Sequence, residues 1–315
     1  MNVFYKFKPV DTLFFKGAEP MSMGDDHTSS LIFPPPVSTI AGAIRTVYLK
    51  QNKVKIKDYL NGKAEQDVYD NIGKPENEAP FSIIGPFFMR DKDYFIPAPY
   101  SWYVEKKDKK EKEEKKITII KSKKIKNNLI KSGNDIYWAK GNGKLISIGG
   151  KWIKLDDFIE SNDKIEIFTI EDFAKFEPRT GIKIDKDKRT VEDGHIYSFK
   201  HIRLNDNVDI IFGIEKEPDI WDKGVLKLGA EQRFGNYEQI KNMFGSNNEG
   251  ELFLSLSIVE GNDNINENLI ATGKIKYLGG WDMNKGFHKD LKGYYPAGTV
   301  FNKKINDNLI QFKGE

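Results

Sequence analysis

Without cysteine, any chemistry in this 315-residue chain must come from histidine, carboxylate, hydroxyl or amine groups, and the histidines number four: His27, His195, His201 and His288. No two lie four residues apart, so none can form a helical metal-gripping pair. His195 and His201 fall on one face of a predicted strand, but six residues of extended chain hold them too far apart to chelate together. Asp25-Asp26 supplies two carboxylates without a supporting acidic cluster. The Gly-x-x-x-x-Gly-Lys-Ser/Thr phosphate loop and the Gly-x-Ser-x-Gly nucleophile elbow are both absent. His27, in a Gly/Ser/Asp-rich loop, is the one residue suited to general base chemistry, and it has no partner in sequence reach. The expectation is a chain with no catalytic residue, no metal and no cofactor, hence not an enzyme.

Arginine beside glycine is the more informative pattern. Basic residues here are overwhelmingly lysine, yet arginines stand at predicted element ends, two of them near glycines: Arg179-Thr180-Gly181, Gly229-Ala230-Glu231-Gln232-Arg233-Phe234-Gly235, and Arg203 at the end of a strand. A planar guanidinium fork next to an open backbone suits two-point contacts to phosphate or base edges. The alternative is that each arginine pairs with one of the abundant carboxylates. Ser38 and Thr39 open a helix whose first N–H groups could receive an anion. Arg45 lies nearly two turns further on, and Gly42, costing about 1 kcal/mol against alanine, points to a close approach of something to the backbone. Tyr100, Trp102, Tyr103, Tyr137, Trp138 and Trp152 flank or interrupt a lysine-rich stretch; such residues can stack bases, but core or interface is the preferred reading.

The elements that must carry these residues follow from periodicity. Residues 2–15 read as a strand, with Val3, Tyr5 and Phe7 alternating. Phe33-Pro34-Pro35-Pro36 excludes helix and central strand, and a helix follows with Ser38 as candidate N-cap and Ile40, Ile44, Val47 and Tyr48 on its buried face. Residues 81–90 and 94–99 read as a hairpin. Strand, helix, strand, strand is the opening of a ferredoxin-like β-α-β-β-α-β unit. Strands are predicted again at 181–185, 194–204, 208–215, 224–234, 251–260, 270–278 and 298–303, with a short helix near 236–244. A second, degenerate unit accounts for this half.

Charge is uneven. The run Glu105–Lys116 is wholly charged, with seven lysines and five acids, and Ile117–Lys154 holds nine lysines against Asp135 alone. These segments carry +2 and +8, leaving −7 for the rest of a chain of net charge +3. A local basic excess suits a polyanion, while a solvated lysine-rich insertion explains the same composition. No segment has the apolar length of a membrane span and the N-terminus lacks a signal-peptide core, so no membrane partner and a cytoplasmic location are expected.

Four blocks, in order along nearly the whole chain, carry a resemblance. They are Pro9-Val10-Asp11-Thr12-Leu13-Phe14-Phe15 with Gly17 and Pro20; Phe33–Arg45; Pro178–Asp185 leading into Gly194-His195-Ile196-Tyr197; and Gly280-Trp281-Asp282 leading to Tyr295–Val300. In these the sequence resembles the third-subunit family of the Cmr, or type III-B, CRISPR effector complexes, within the RAMP superfamily. It departs at Ala230, where a second glycine is common, and at Glu105–Lys154. The resemblance implies an α+β protein of two ferredoxin-like units with a Lys-rich insertion. The expected division is 1–104 for the first part of an N-terminal unit, 105–176 for the insertion and completion of that unit, and 177–315 for the C-terminal unit. It also implies a non-catalytic ribonucleoprotein subunit of antiviral defence that holds the repeat-derived 5′ handle of the guide RNA. The implied partners are that RNA, the large palm-domain subunit, the backbone subunits and, indirectly, target RNA. The candidate RNA-binding residues are His27, Ser38, Thr39, Gly42, Arg45, Arg179, Gly181, Arg203, Gly229 and Arg233. Two other readings stand beside this: an endoribonuclease of the same superfamily, and a protein-only scaffold.

Overall fold

The computed structural model describes residues 2–15, 31–106, 115–125, 136–184, 191–244, 250–279, 281–282, 287–306 and 308–313. His27 and Asp25-Asp26 lie outside them, as do Gly280 and the side chains of His195 and His288.

Strand β1 (Val3–Pro9) buries Phe4, Tyr5 and Phe7 and leads into a chain whose Leu13 bridges to Ile202. Helix α1 (Val37–Gln51) buries Ile40, Ile44, Val47 and Tyr48 together with Ala43 and Leu49, as their spacing requires. Its N-cap is Pro36 rather than Ser38. The Pro36 carbonyl accepts the N–H groups of Thr39 and Ile40, so the helix starts two residues before the Ser38 hydroxyl could cap it. Next come β2 (Ser82–Arg90), β3 (Asp93–Pro97), β4 (Trp152–Lys154), β5 (Ala174–Ile184), β6 (Val191–Leu204), β7 (Val208–Glu215), β8 (Lys223–Lys227) and β9 (Phe234–Ile240).

Seven of these form one antiparallel sheet in the order β4-β3-β2-β7-β1-β9-β8. β1 and β2, joined through α1, run parallel with β7 between them, the arrangement of a split β-α-β unit. In the expected unit the hairpin strand after β2 would fill this gap; instead β3 lies on the outer side of β2. β7 suits the central place because Val208, Ile210, Ile211, Phe212 and Ile214 are all buried, and a strand covered on both faces needs an unbroken apolar run. Residues 236–244, expected to be helical, begin within β9. There Gly235 and Tyr237 are buried while Phe234, Asn236 and Glu238 are exposed, a period of two.

The remaining strands build small antiparallel sheets, so the chain is mostly β with few helices. β10 (Leu252–Ser255), β11 (Val259–Glu260), β12 (Leu269–Ala271), β13 (Lys276–Leu278), β14 (Lys292–Tyr295), β15 (Val300–Phe301) and β16 (Leu309–Phe312) form two of them, ordered β12-β15-β10-β16 and β11-β14-β13. The expected boundary at 176/177 does not divide the strands: β7, β8 and β9 belong to the sheet of β1.

Candidate nucleic-acid interface

The β5–β6 hairpin fixes one half of the site. Its register places Glu177 opposite His201, Arg179 opposite Phe199 and Lys175 opposite Arg203, so these six share one face. The Leu13–Ile202 bridge lays residues 11–14 beside that face, and the turn after Leu228 closes from the other side. The Ala230 N–H donates to the Phe14 carbonyl at 2.8 Å, and Arg233 N–H donates to the Ala230 carbonyl at 3.2 Å. Gly229 makes this possible. It has φ +96°, and a Cβ there would lie 2.6 Å from the Phe14 carbonyl oxygen.

Three arginines thus meet at one carboxylate: Arg203 and Arg233 from strand ends, and Arg179 from the middle of β5, which begins at Ala174 and not at the expected Gly181. Asp11 takes Arg203 at 3.0 Å, Arg233 at 3.1 Å and Arg179 at 3.5 Å. Arg203 also makes a two-point contact with Glu177, its second hydrogen bond spanning 3.2 Å. Glu231 takes Arg233 at 3.2 Å. The buried His201 lies behind them, 3.2 Å from the Thr12 hydroxyl, 3.5 Å from Glu231 and stacked on the Phe14 ring. Three guanidinium groups face three carboxylates, so with His201 neutral the cluster carries no net charge. Each arginine therefore has a carboxylate partner, as the ion-pair alternative expects, and all three are gathered at one half-exposed point. Arg233 Nε is buried and has no hydrogen-bond partner among the described residues.

Electrostatics bind the cluster to pH. Burial pushes the His201 imidazole below its ordinary value, Arg179 and Arg233 add to this, and Glu231 and Asp11 oppose it. Burial raises Asp11, but the Thr12 N–H and Arg203 outweigh it and hold the carboxyl below its usual range; Arg203 lowers Glu177 likewise. All three groups bind fewer protons folded than unfolded, so each adds stability that is lost on acidification. The loss through His201 starts below its unfolded value of about 6.5, and the carboxylate losses start below about 4.5. Asp209 and Glu217, pushed up by burial, act in the opposite sense, so the measurement is a difference. Melting temperature from pH 7 to 5 should fall less steeply in His201→Gln than in wild type, and equal slopes would show that His201 does not couple to folding.

Ser38, Thr39, Gly42 and Arg45 belong to α1, and none makes a hydrogen bond or ion pair with the cluster among the described residues. Arg45 donates from Nε to the Ile72 carbonyl and from NH2 to the Asn77 carbonyl, both at 2.8 Å, bracing the loop after the helix Gln66–Ile72. Nothing lies within 4 Å of a Cβ built on the exposed Gly42, so the chain itself does not need glycine there. Ser38 is exposed, but the Thr39 N–H is already spent on Pro36. Gly181 sits opposite Tyr197 in the hairpin. Sequence reasoning singled out all three clustered arginines and missed the carboxylates Asp11, Glu177 and Glu231. Acidic residues are too common here for any one to stand out; the signal was Asp11 at the end of a strand within a recognised block.

The lysine-rich stretch is partly structural. Lys121, a residue that a phosphate-binding role would expose, has a side chain only 5% exposed and bonds the Ser161 carbonyl at 2.8 Å and Asp163 at 3.2 Å. Lys154 pairs with Asp93. Trp102 and Trp152 are core residues, whereas Trp138 is 65% exposed on a strand paired with Lys123–Ile125. Lys121→Gln should cost about 1–3 kcal/mol of stability by leaving a partly buried carbonyl short of its donor, with the salt slope of RNA binding unchanged. A slope lowered by about 0.7 would instead assign it a phosphate. Among the described residues no helix is long and apolar enough to cross a membrane, and no group of three acidic or histidine side chains could hold a metal ion.

Residues 5–254 match the family model described as CRISPR-associated protein (Cas_Cmr3). The CRISPR system CMR subunit Cmr3 of Saccharolobus solfataricus is 26% identical over 167 residues, 47% of this chain, and the match spans about half (52%) of that relative's length. Two cryo-EM structures of the type III-B Cmr-beta complex contain chains of similar fold. In the one bound to cognate target RNA the TM-score is 0.56 at 17% identity, over 97% of this chain and 87% of the other. In the one bound to cognate target RNA and AMPPnP it is 0.54 at 17% identity, over 96% and 86%.

Proposed function

Because the chain belongs to the CRISPR-associated Cas_Cmr3 family, we propose that it is a non-catalytic, RNA-holding subunit of a type III-B CRISPR effector complex. Its task in this reading is to grip the repeat-derived 5′ handle of the guide RNA and dock the large palm-domain subunit. The observation that carries the reading is the convergence of Arg179, Arg203 and Arg233 on the half-exposed Asp11. A phosphate has the charge and the paired oxygens that such forks accept, and Asp11 holds the three side by side to receive it. A handle of constant sequence rewards such directional donors, whereas diffuse lysine charge attracts any RNA. The split β-α-β core supports reading the N-terminal sheet as ferredoxin-like.

Partner surfaces in the backbone subunits and indirect contact with target RNA belong to the same reading. Its test is binding of the full chain, alone and paired with the palm subunit, to handle RNA and to a scrambled RNA of equal length. Preference for the handle with no cleavage of either strand is expected. Cleavage would point to the endoribonuclease reading, with His27 as the base to replace. Equal binding of both RNAs would move handle recognition to a neighbouring subunit.

A further inference from the structure

A second site lies outside the span matched by the family model, on the small sheet β11-β14-β13. We propose that the cleft there receives an unpaired nucleobase of single-stranded RNA. The cleft has a volume of about 260 Å³ and is lined by Ile275, Tyr277, Gly293 and Tyr295 on the sheet and by Asn262, Asp263 and Asn266 on the adjoining turn.

Its shape depends on what faces Tyr277. Gly293 is directly opposite in register, so no side chain covers the Tyr277 ring from the neighbouring strand. A Cβ at residue 293 would come within 3.3 Å of Ile275 and 3.7 Å of Tyr277, and a larger side chain would occupy the cleft floor. Tyr277 is 70% exposed and Ile275, just before the strand, 49%, an aromatic face and an aliphatic neighbour left open to solvent. Planar rings of any base can stack there.

The polar rim decides between ligand classes. Asn262 Oδ1 accepts the Ile265 N–H at 3.0 Å, and Asn266 Oδ1 accepts the Tyr295 hydroxyl hydrogen at 2.6 Å. Among the described residues each amide therefore keeps its NH2 group for a ligand, and the Asp263 carboxylate supplies an acceptor beside them. Donors and acceptor together match a base edge, which presents both. A guanidinium or ammonium from a protein partner offers donors only and leaves both amides unmatched. No lysine or arginine lines the cleft among the described residues, so it suits the base and not its phosphate. The cations lie just outside: Lys276 is next to Tyr277, and Lys292, held by Glu260 at 2.7 Å, is next to Gly293.

The site rests on the RNA-holding reading only for the source of the base. The test is photocrosslinking of the full chain to a short single-stranded RNA carrying 4-thiouridine, with the attachment point mapped by mass spectrometry, alongside binding by Tyr277→Ala and Gly293→Val. Expected are a crosslink within residues 274–279 or 292–295 and a loss of affinity of roughly 5- to 100-fold in each variant. Tyr277 is exposed, so its variant should melt like wild type, which guards against misfolding at residue 293. Separate labelling of guide and target in the assembled complex identifies which strand supplies the base. The proposal fails if no crosslink maps there and Tyr277→Ala binds RNA like wild type. It fails in favour of a protein contact if the variants weaken assembly with the palm subunit and leave RNA binding unchanged. Handle preference persisting without the crosslink would overturn this site alone, and absence of all RNA binding would overturn both readings.

Discussion

Arg233→Lys is expected to lower the preference for handle RNA over scrambled RNA by about 1–3 kcal/mol, roughly 5- to 150-fold, while general RNA affinity changes far less. The lysine keeps the charge and loses the fork. Arg233 reaches Asp11 from NH1 and Glu231 from NH2, so one planar group spans two carboxylates. An ammonium on a flexible stem cannot hold both directions at once, and an incoming phosphate would meet a mobile point charge. Asp11→Asn is the companion experiment. It raises the net charge by one, which by diffuse attraction alone would tighten binding to every RNA. If Asp11 gathers the three arginines, handle preference falls in spite of that gain. A rise in preference would make Asp11 a competitor for the arginines, and unchanged preference in both variants would leave Arg233 as an ion-pair partner of the folded chain.

A larger structural effect is expected from Gly229→Val. The residue has a left-handed backbone and touches the Phe14 carbonyl, so a β-branched side chain meets both backbone strain and a hard contact that no side-chain motion relieves. Strain of about 1–3 kcal/mol adds to the loss of the Ala230–Phe14 hydrogen bond, and the melting temperature should drop by several degrees. Handle preference should fall with it, because the same turn presents Glu231 and Arg233. Gly42→Ala is the contrasting control: open space surrounds that position, and alanine is the better helix former by about 1 kcal/mol. Equal melting temperatures of wild type and Gly229→Val would show that the turn can repack away from Phe14.

The order of the recognised blocks, the buried face of α1 and the strand at 208–215 were legible because each is a local pattern. Alternation and helical spacing are properties of neighbouring residues, and four short motifs in sequence order identify a family without reference to contacts. Arginine beside glycine was legible for a similar reason, since scarcity and backbone freedom are visible in the residue types. Which strands pair was not. The run Val208–Ile214 could announce that it is buried on both faces, but not that it would enter between β1 and β2 and displace the nearer hairpin strand. Nor does anything near Asp11 in the chain point to Arg233, 222 residues away, or to Arg203, 192 away. The same holds for Lys121, one lysine among many until Trp102 and Asp163 close around it. Residue types and periods determined the elements, the candidate arginines and the family. Pairing between distant strands, which decides solvent exposure and charge partners, determined where those arginines meet and which lysines are buried.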